Sequence, residues 1–193
     1  DLEDGGASHY KRCIDAVHDK CPYVGLELLC SDLSGNIKAL EKLLTNSPLT
    51  VFAHNVETVR RLTPRVRDPR ATFDQSLLIL RKAKELRPDI MTKSSIMLGL
   101  GETEEDLLES FEELRNADVD LLTLGQYLSP GSRYHPVMSF PTPETFDRLA
   151  QVAKEMGFKA IASGPMVRSS YRAESLVSAA RGENFDLLLK VVA

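Results

Sequence analysis

Short apolar runs alternate with amphipathic stretches along the whole chain, and that alternation limits the fold more than any other feature. Runs with strand character occupy 23–30 (YVGLELLC), 50–54 (TVFAH), 90–100 (including SSIMLGLG), 119–127 (VDLLTLGQY) and 158–163. Helical periodicity marks 7–20, 37–44, 71–86, 104–116, 143–156, 172–181 and 184–192. Strands that are apolar on both faces belong in a parallel sheet covered by helices, because a parallel pair needs a long crossover. Five strand–helix units are visible, fewer than a closed barrel requires. A partial (β/α) barrel and an open doubly wound sheet both fit.

Local signals set the ends of the helices. Asp32 or Ser34 precedes 37–44 as a cap, and Thr103 precedes 104–116, whose first turn is acidic as the helix dipole favours. Pro143 opens 143–156 and Gly157 closes it. Cys13, Ile14 and Val17 are spaced for one face of the first helix, and Leu77, Leu80, Ala83 and Leu86 for one side of 71–86.

Composition narrows the partners. The chain has 193 residues, 42% hydrophobic, with a net charge of −4. That suits one core and gives no reason to expect nucleic acid or an anionic membrane. No apolar run approaches the ~20 residues of a spanning helix, and no signal peptide is visible. The opening DLEDGGASHY starts without methionine, so upstream residues are expected to be missing. Cys13, Cys21 and Cys30 are odd in number and widely spaced, neither a disulfide framework nor a zinc pattern. They are expected to face helix or strand cores in a reducing compartment.

Polar residues collect where strands end: Asp4-Gly5-Gly6, His54-Asn55-Val56-Glu57, Gly99-Leu-Gly-Glu102, Gly125-Gln126-Tyr127 and SGPMVRSSYRAE over 163–174. Ligands bind at the carboxyl ends of strands in either architecture, so these patches converge on one site. Gly5 and Gly6 let backbone approach a ligand and precede a helix whose free N–H groups suit a carboxylate or phosphate; a plain turn also explains them. Asn55 and Glu57 share a face of an extended chain, where an amide and a carboxylate can hold a ribose diol or an ammonium group. His54 reads as a satisfied buried histidine. GLGETEED lacks the lysine and spacing of a nucleotide phosphate loop; its glycines leave room for a flat ring on the strand backbone. Tyr134 and His135 lie in a loop long enough to cover a site. Ser169 and Ser170, set between arginines, are either a helix N-cap or ligands. No Ser-His-Asp order is evident.

Read together, AHNVETV, RDPRATFDQSL, TKSSIMLGLGETEEDL, LTLGQYLSP, GFKAIASGP and VRSSY resemble the lipoyl synthases, in that order, from Asp4 to about Arg172. These are radical S-adenosylmethionine (SAM) enzymes. The resemblance implies an α/β fold, a partial (β/α) barrel over 1–163 with a C-terminal extension over 164–193. It implies two [4Fe–4S] clusters at the barrel mouth. One, on a C-x3-C-x2-C loop, reductively cleaves SAM to a 5′-deoxyadenosyl radical. The other, an auxiliary cluster on a second cysteine triplet, is the sulfur source. C–H bonds at C6 and C8 of a protein-bound octanoyl chain become C–S bonds.

The resemblance also implies roles, position by position. Ser170, with Ser169 as the alternative, would complete the auxiliary cluster with an oxygen, a poorer ligand for iron than thiolate. Arg168 would balance its charge, and Ser169 would cap the following helix. Gly5 and Gly6 would meet the amino end of SAM, Asn55 and Glu57 its ribose, and Gly99 and Gly101 its adenosyl part. Gln126 would lie near the adenine or the substrate, and Lys93 near the carboxylate. Implied partners are an octanoylated carrier (glycine cleavage H protein or a 2-oxoacid dehydrogenase E2), a ferredoxin or flavodoxin, and an iron–sulfur carrier. The implied compartment is the mitochondrial matrix for a eukaryotic sequence, otherwise the cytoplasm. Neither cysteine triplet is present, and the three cysteines follow the glycine pair that the triplets should precede. The chain therefore reads as the C-terminal two-thirds of such an enzyme, with an open sheet edge. The alternative is a cluster-free paralogue that binds octanoylated domains or SAM.

Overall fold

The computed structural model describes residues 2–183 and, as backbone, 188–190. The elements in chain order are α1 (Ala7–Lys20), β1 (Glu27–Leu29), α2 (Ile37–Leu44), β2 (Val51–Ala53), α3 (Thr63–Val66), α4 (Phe73–Leu86), β3 (Met91–Leu98), α5 (Glu104–Asn116), β4 (Leu121–Gln126), α6 (Pro143–Glu155), β5 (Ala160–Ser163), α7 (Ala173–Ala180) and β6 (Leu188–Lys190). All pairings are parallel and the strands lie in sequence order, β1-β2-β3-β4-β5-β6. A doubly wound sheet reverses its order at a switch point. This sheet never does, which settles for the partial (β/α) barrel.

Strand alternation sorts the side chains onto two faces. Phe52, Ile96, Leu98, Leu122, Leu124 and Ile161 point outward into two apolar clusters shared with α2, α4, α5 and α6. Val51, Leu121, Ala160 and Ala162 point inward and pack against Leu176 and Ala179 of α7. Val51, Leu121 and Ala160 are the first residues of their strands, so α7 lies beneath the inner face, at the end away from the polar strand ends. β1 is a sheet edge, with Leu29 exposed as expected of an open edge.

Helix ends follow their caps. Thr103 and Asp106 form a reciprocal capping box on α5, Thr72 caps α4 and Thr142 caps α6. Asn36, not Asp32 or Ser34, caps α2 by accepting from Ala39 N; Asp32 caps the short 3-10 turn Leu33–Gly35 instead. In α1 the buried face runs through Ala7 and Ile14 with Tyr10 half-buried, while Cys13 and Val17 are exposed. Both spacings fit a helical stripe; packing against α2 selects the first. Leu86 is likewise exposed at the end of α4. The apolar run at the C-terminus, expected to be helical, contains a strand at Leu188–Lys190 that pairs with β5; the remainder of 184–192 lies outside the described residues. A short apolar run suits a buried strand as well as a helix, and the free edge of β5 decides between them.

One buried carboxylate ties three elements. Asp120 accepts from Lys84 of α4 at 2.5 Å, from Lys159 at 2.8 Å and from Thr92 N of β3 at 3.0 Å. Burial alone would raise its pKa, but these donors outweigh burial and hold it below the ordinary carboxylate value. A depressed folded pKa contributes stability above the unfolded value of about 3.9 that is lost as pH falls through the folded pKa. Asp120→Ala is expected to cost about 2–3 kcal/mol at neutral pH. The difference from wild type should shrink as urea titrations are moved into that acid window.

Candidate functional site

The site is built on the carboxyl ends of β2 and β3. Past Ala53 the chain stays beside β3: His54 N donates to Lys93 O at 3.1 Å and Val56 N to Ser94 Oγ at 3.2 Å. Glu57 closes this stretch in the left-handed region, φ 66°, with its N–H on Ser95 O and its carbonyl accepting from Met97 N. A non-glycine residue is rarely held there, and such strain gathers at functional positions. Asn55 Nδ2 donates to Glu57 Oε1 at 3.2 Å, so the expected pair does form. Asn55 Oδ1 is buried and has no hydrogen-bond partner among the described residues. Burial pushes the Glu57 carboxyl up, against the opposing effects of the Asn55 bond and the Arg67 charge.

His54 is a satisfied core histidine. Its Nδ1 meets Cys30 O at 3.0 Å and its Nε2 meets Ser76 Oγ at 2.9 Å. Ser76 Oγ also accepts from Arg67 Nη1 at 2.8 Å, so its one hydrogen goes to Nε2 and the ring donates from Nδ1 to Cys30 O. That neutral form agrees with burial lowering the His54 pKa. Arg67 is thereby held where Glu57 and Asp32 both attract it.

Lys93 is fully buried on the inner face and grips Glu27 with contacts of 2.8 and 3.0 Å. Its ammonium is thus committed to a carboxylate of β1, two strands away, rather than free for a ligand. On the same face Ser95 Oγ donates to Thr123 O at 3.3 Å, and Thr123 Oγ1 is a second buried polar atom without a partner among the described residues.

The glycines have reasons within the protein. Gly99 adopts φ 97°, and a Cβ there would collide with Gln126 Nε2 and Ser139 O; one at Gly101 would touch Met138. Gln126 shares the outward side with Leu122 and Leu124. Its Nε2 donates to Tyr127 O at 3.0 Å and to Ser139 O at 3.1 Å. Gln126 therefore anchors the loop after β4 instead of facing the inner chamber, since two-residue periodicity turns it away. Tyr134 and His135 belong to this loop, which Tyr127 Oη fastens by donating to His135 O at 2.8 Å.

Gly5 and Gly6 line a separate cleft of about 550 Å³ with Tyr10, Asp32 and Arg70. The start of α1 is already occupied: Asp4 accepts from Gly6 N at 3.1 Å and Ser8 N at 3.0 Å, so those N–H groups are not free for an anion. Near the sheet's other side, Val167 O and Arg168 Nη1 lie over Gly125. α7 begins at Ala173 with Arg172 at its N-cap and no side-chain cap, so neither Ser169 nor Ser170 caps it. Ser170 is exposed, and among the described residues no hydrogen bond engages either hydroxyl. Cys13 and Cys21 are exposed rather than core-facing, and Cys30 is buried with its thiol pushed up to about 12.

The sequence pointed to Asn55, Glu57 and Lys93 but not to Glu27, Arg67 or Thr123. The signal for Glu27 was available: opposite charges sit inside two apolar strand runs, LELLC and TKSSIML, where burial would demand that they pair.

A family model described as "Radical SAM superfamily" matches residues 3–114. The chain is 53% identical over 174 residues to a lipoyl synthase of Thermus thermophilus, covering 90% of this chain and 54% of that protein. It is 50% identical over 183 residues to one of Staphylococcus carnosus, covering 95% and 58%. It is 50% identical over 173 residues to a mitochondrial lipoyl synthase of Bos taurus, covering 90% and 46%. The chain thus spans about half the length of the curated relatives it matches.

A carboxyl whose folded pKa is raised costs the fold stability, a cost that sets in above the unfolded value and is full above the folded one. Glu57→Gln keeps the acceptor for Asn55 and removes the buried charge. It is expected to raise the melting temperature at neutral pH, with the gain fading as pH falls through the raised folded pKa and gone below the unfolded value of about 4.3. Thermal melts across this range check the sign.

Proposed function

This chain belongs to the radical SAM superfamily, and we propose that it forms the cofactor- and substrate-binding part of a lipoyl synthase. The reaction is insertion of two sulfurs, at C6 and C8, into an octanoyl chain borne by a carrier protein. Two things support the reading: likeness to lipoyl synthases over 90% of the chain, and one geometric observation. That observation is Asn55 Oδ1, a buried acceptor without a donor beside the Glu57 carboxylate. An unsatisfied buried acceptor costs about 1–3 kcal/mol. The vicinal hydroxyls of a ribose would satisfy Asn55 Oδ1 and Glu57 together, so SAM fits these residues. When bound, SAM supplies hydrogen-atom abstraction from unactivated carbon. Asn55 and Glu57 fix the sugar, and Lys93 with Glu27 keeps β1 locked to the sheet beneath it. Gly5 and Gly6 line a cleft of their own, and Asp4 already occupies the N–H groups there, so no part of the ligand is assigned to them.

Iron–sulfur clusters do not fit the cysteines of this chain. The three thiols are scattered, and among the described residues no cluster of His, Cys, Asp and Glu could hold a metal. On this reading the thiolate ligands of the two [4Fe–4S] clusters belong to other parts of the full-length protein. Ser170, with an accessible and unengaged hydroxyl, is the one ligand this chain contributes to the auxiliary cluster, and Arg168 stands beside it. The carrier is an octanoylated H protein or E2 domain, with a ferredoxin or flavodoxin as electron donor and an iron–sulfur carrier for repair. The same chemistry serves the mitochondrial matrix and the bacterial cytoplasm. No helix of the described residues is long and apolar enough to cross a membrane.

The decisive assay uses full-length protein carrying this segment, reconstituted anaerobically with octanoylated H protein. Mass spectrometry should find both 5′-deoxyadenosine and lipoyl product; finding neither sinks the reading. Asn55→Ala is expected to weaken SAM binding by about tenfold or more in equilibrium dialysis, without change in circular dichroism. Ser170→Ala should retain 5′-deoxyadenosine formation in part, abolish lipoyl product and alter the Mössbauer signature of one iron. If Ser169→Ala does this and Ser170→Ala does not, the ligand is Ser169.

A further inference from the structure

Five of the twelve large apolar side chains that stand exposed among the described residues fall in two segments: Leu128, Tyr134, Met138, Phe140 and Met166. Phe140 is 71% and Met166 67% exposed. Backbone bonds gather them on one rim. Met138 N donates to Gly99 O at 2.8 Å at the end of β3, and Gln126 N to Pro165 O at 3.3 Å, joining the ends of β4 and β5. The loop is therefore fastened, by Gln126 and Tyr127 as well, and still presents its apolar groups to solvent.

Charge follows the same segments. Residues 128–141 and 164–172 contain Arg133, Arg168, Arg172 and His135 but no Asp or Glu, in a chain whose net charge is −4. Among the described residues no carboxylate lies within ion-pair distance of Arg133 or Arg168, whereas Arg60, Arg61, Arg87 and Arg148 all have one. An exposed apolar patch edged by unpaired cations is the form of a protein-docking face, and complementarity requires an acidic partner. A second copy fits poorly, because a two-fold contact would set the arginines against each other.

We propose that this rim is where an acidic carrier domain docks to present its acyl chain. The proposal rests on the reaction read above, in which the substrate arrives attached to a protein. Docking there brings the carrier to the carboxyl ends of the strands, the end at which Asn55 and Glu57 sit.

The test titrates full-length protein carrying this segment with an octanoylated H protein at low and at high salt. Wild type should bind, more weakly at high salt. Phe140→Ser and Arg133→Glu should each weaken binding by about tenfold or more, while Arg133→Lys restores it and Tyr23→Ser, far from the rim, changes nothing. Phe140 and Arg133 are exposed, and circular dichroism confirms that each variant is folded. If the carrier binds both variants as it binds wild type, the docking face is elsewhere and the proposal is wrong, while the reaction stands. If wild type binds no carrier and the full-length protein makes no lipoyl product, the reaction reading fails with it. If Phe140→Ser abolishes self-association and no carrier binds, the rim belongs to a second copy and the proposal is overturned.

Discussion

Parallel pairing in sequence order is the constraint on which the rest depends. A parallel strand must be re-entered from the same end, so each strand delivers its chain to the same rim before a helix carries it back. Loops at that rim can then vary in polarity without disturbing the sheet. The chain uses this freedom at every strand from β1 to β5: the Asp32 turn, the Asn55–Glu57 stretch, the Gly99 turn, the loop after β4 and the arginine–serine segment all meet there. The opposite end carries α7 and apolar first residues.

Within that frame the inner face is not uniformly apolar. Buried Lys93 pairs with half-buried Glu27 across β1 and β3, on the face that also carries Ser95 and Thr123. A buried ammonium is tolerated only with a partner, so the pair links an otherwise short edge strand to the centre of the sheet. β1 has only three paired residues and one neighbour, and it gains a connection that backbone bonds alone do not give it.

The helices were largely legible in the sequence because their ends carry local chemistry. α5 begins at its Thr103 cap, and α1 and α2 begin and end where periodicity places them, although Asn36 rather than Asp32 or Ser34 caps α2. The strands were located but proved shorter than their apolar runs: YVGLELLC contributes only Glu27–Leu29, the three residues that face Val51–Ala53 of β2. The short helix Thr63–Val66 was missed, being too brief to show periodicity. The pairing of Asn55 with Glu57 was readable from spacing, whereas the outward turn of Gln126 was not. Which face a strand residue occupies depends on the phase of alternation, and a run apolar on both faces hides that phase. Arg67 escaped notice because its place depends on His54 and Ser76, contacts that no linear spacing encodes.

Gly125 has a consequence for the segment above it. A Cβ at this position would collide with Val167 O, so the arginine–serine segment rests on bare backbone of β4. Heights set by side chains can be retuned by choosing another rotamer; a height set by the absence of one cannot. The sheet thus acts as a fixed datum for Arg168, Ser169 and Ser170. Adjustment of either hydroxyl's reach has to come from within the segment itself, while the rigidity of the β-sheet passes undiluted to its backbone.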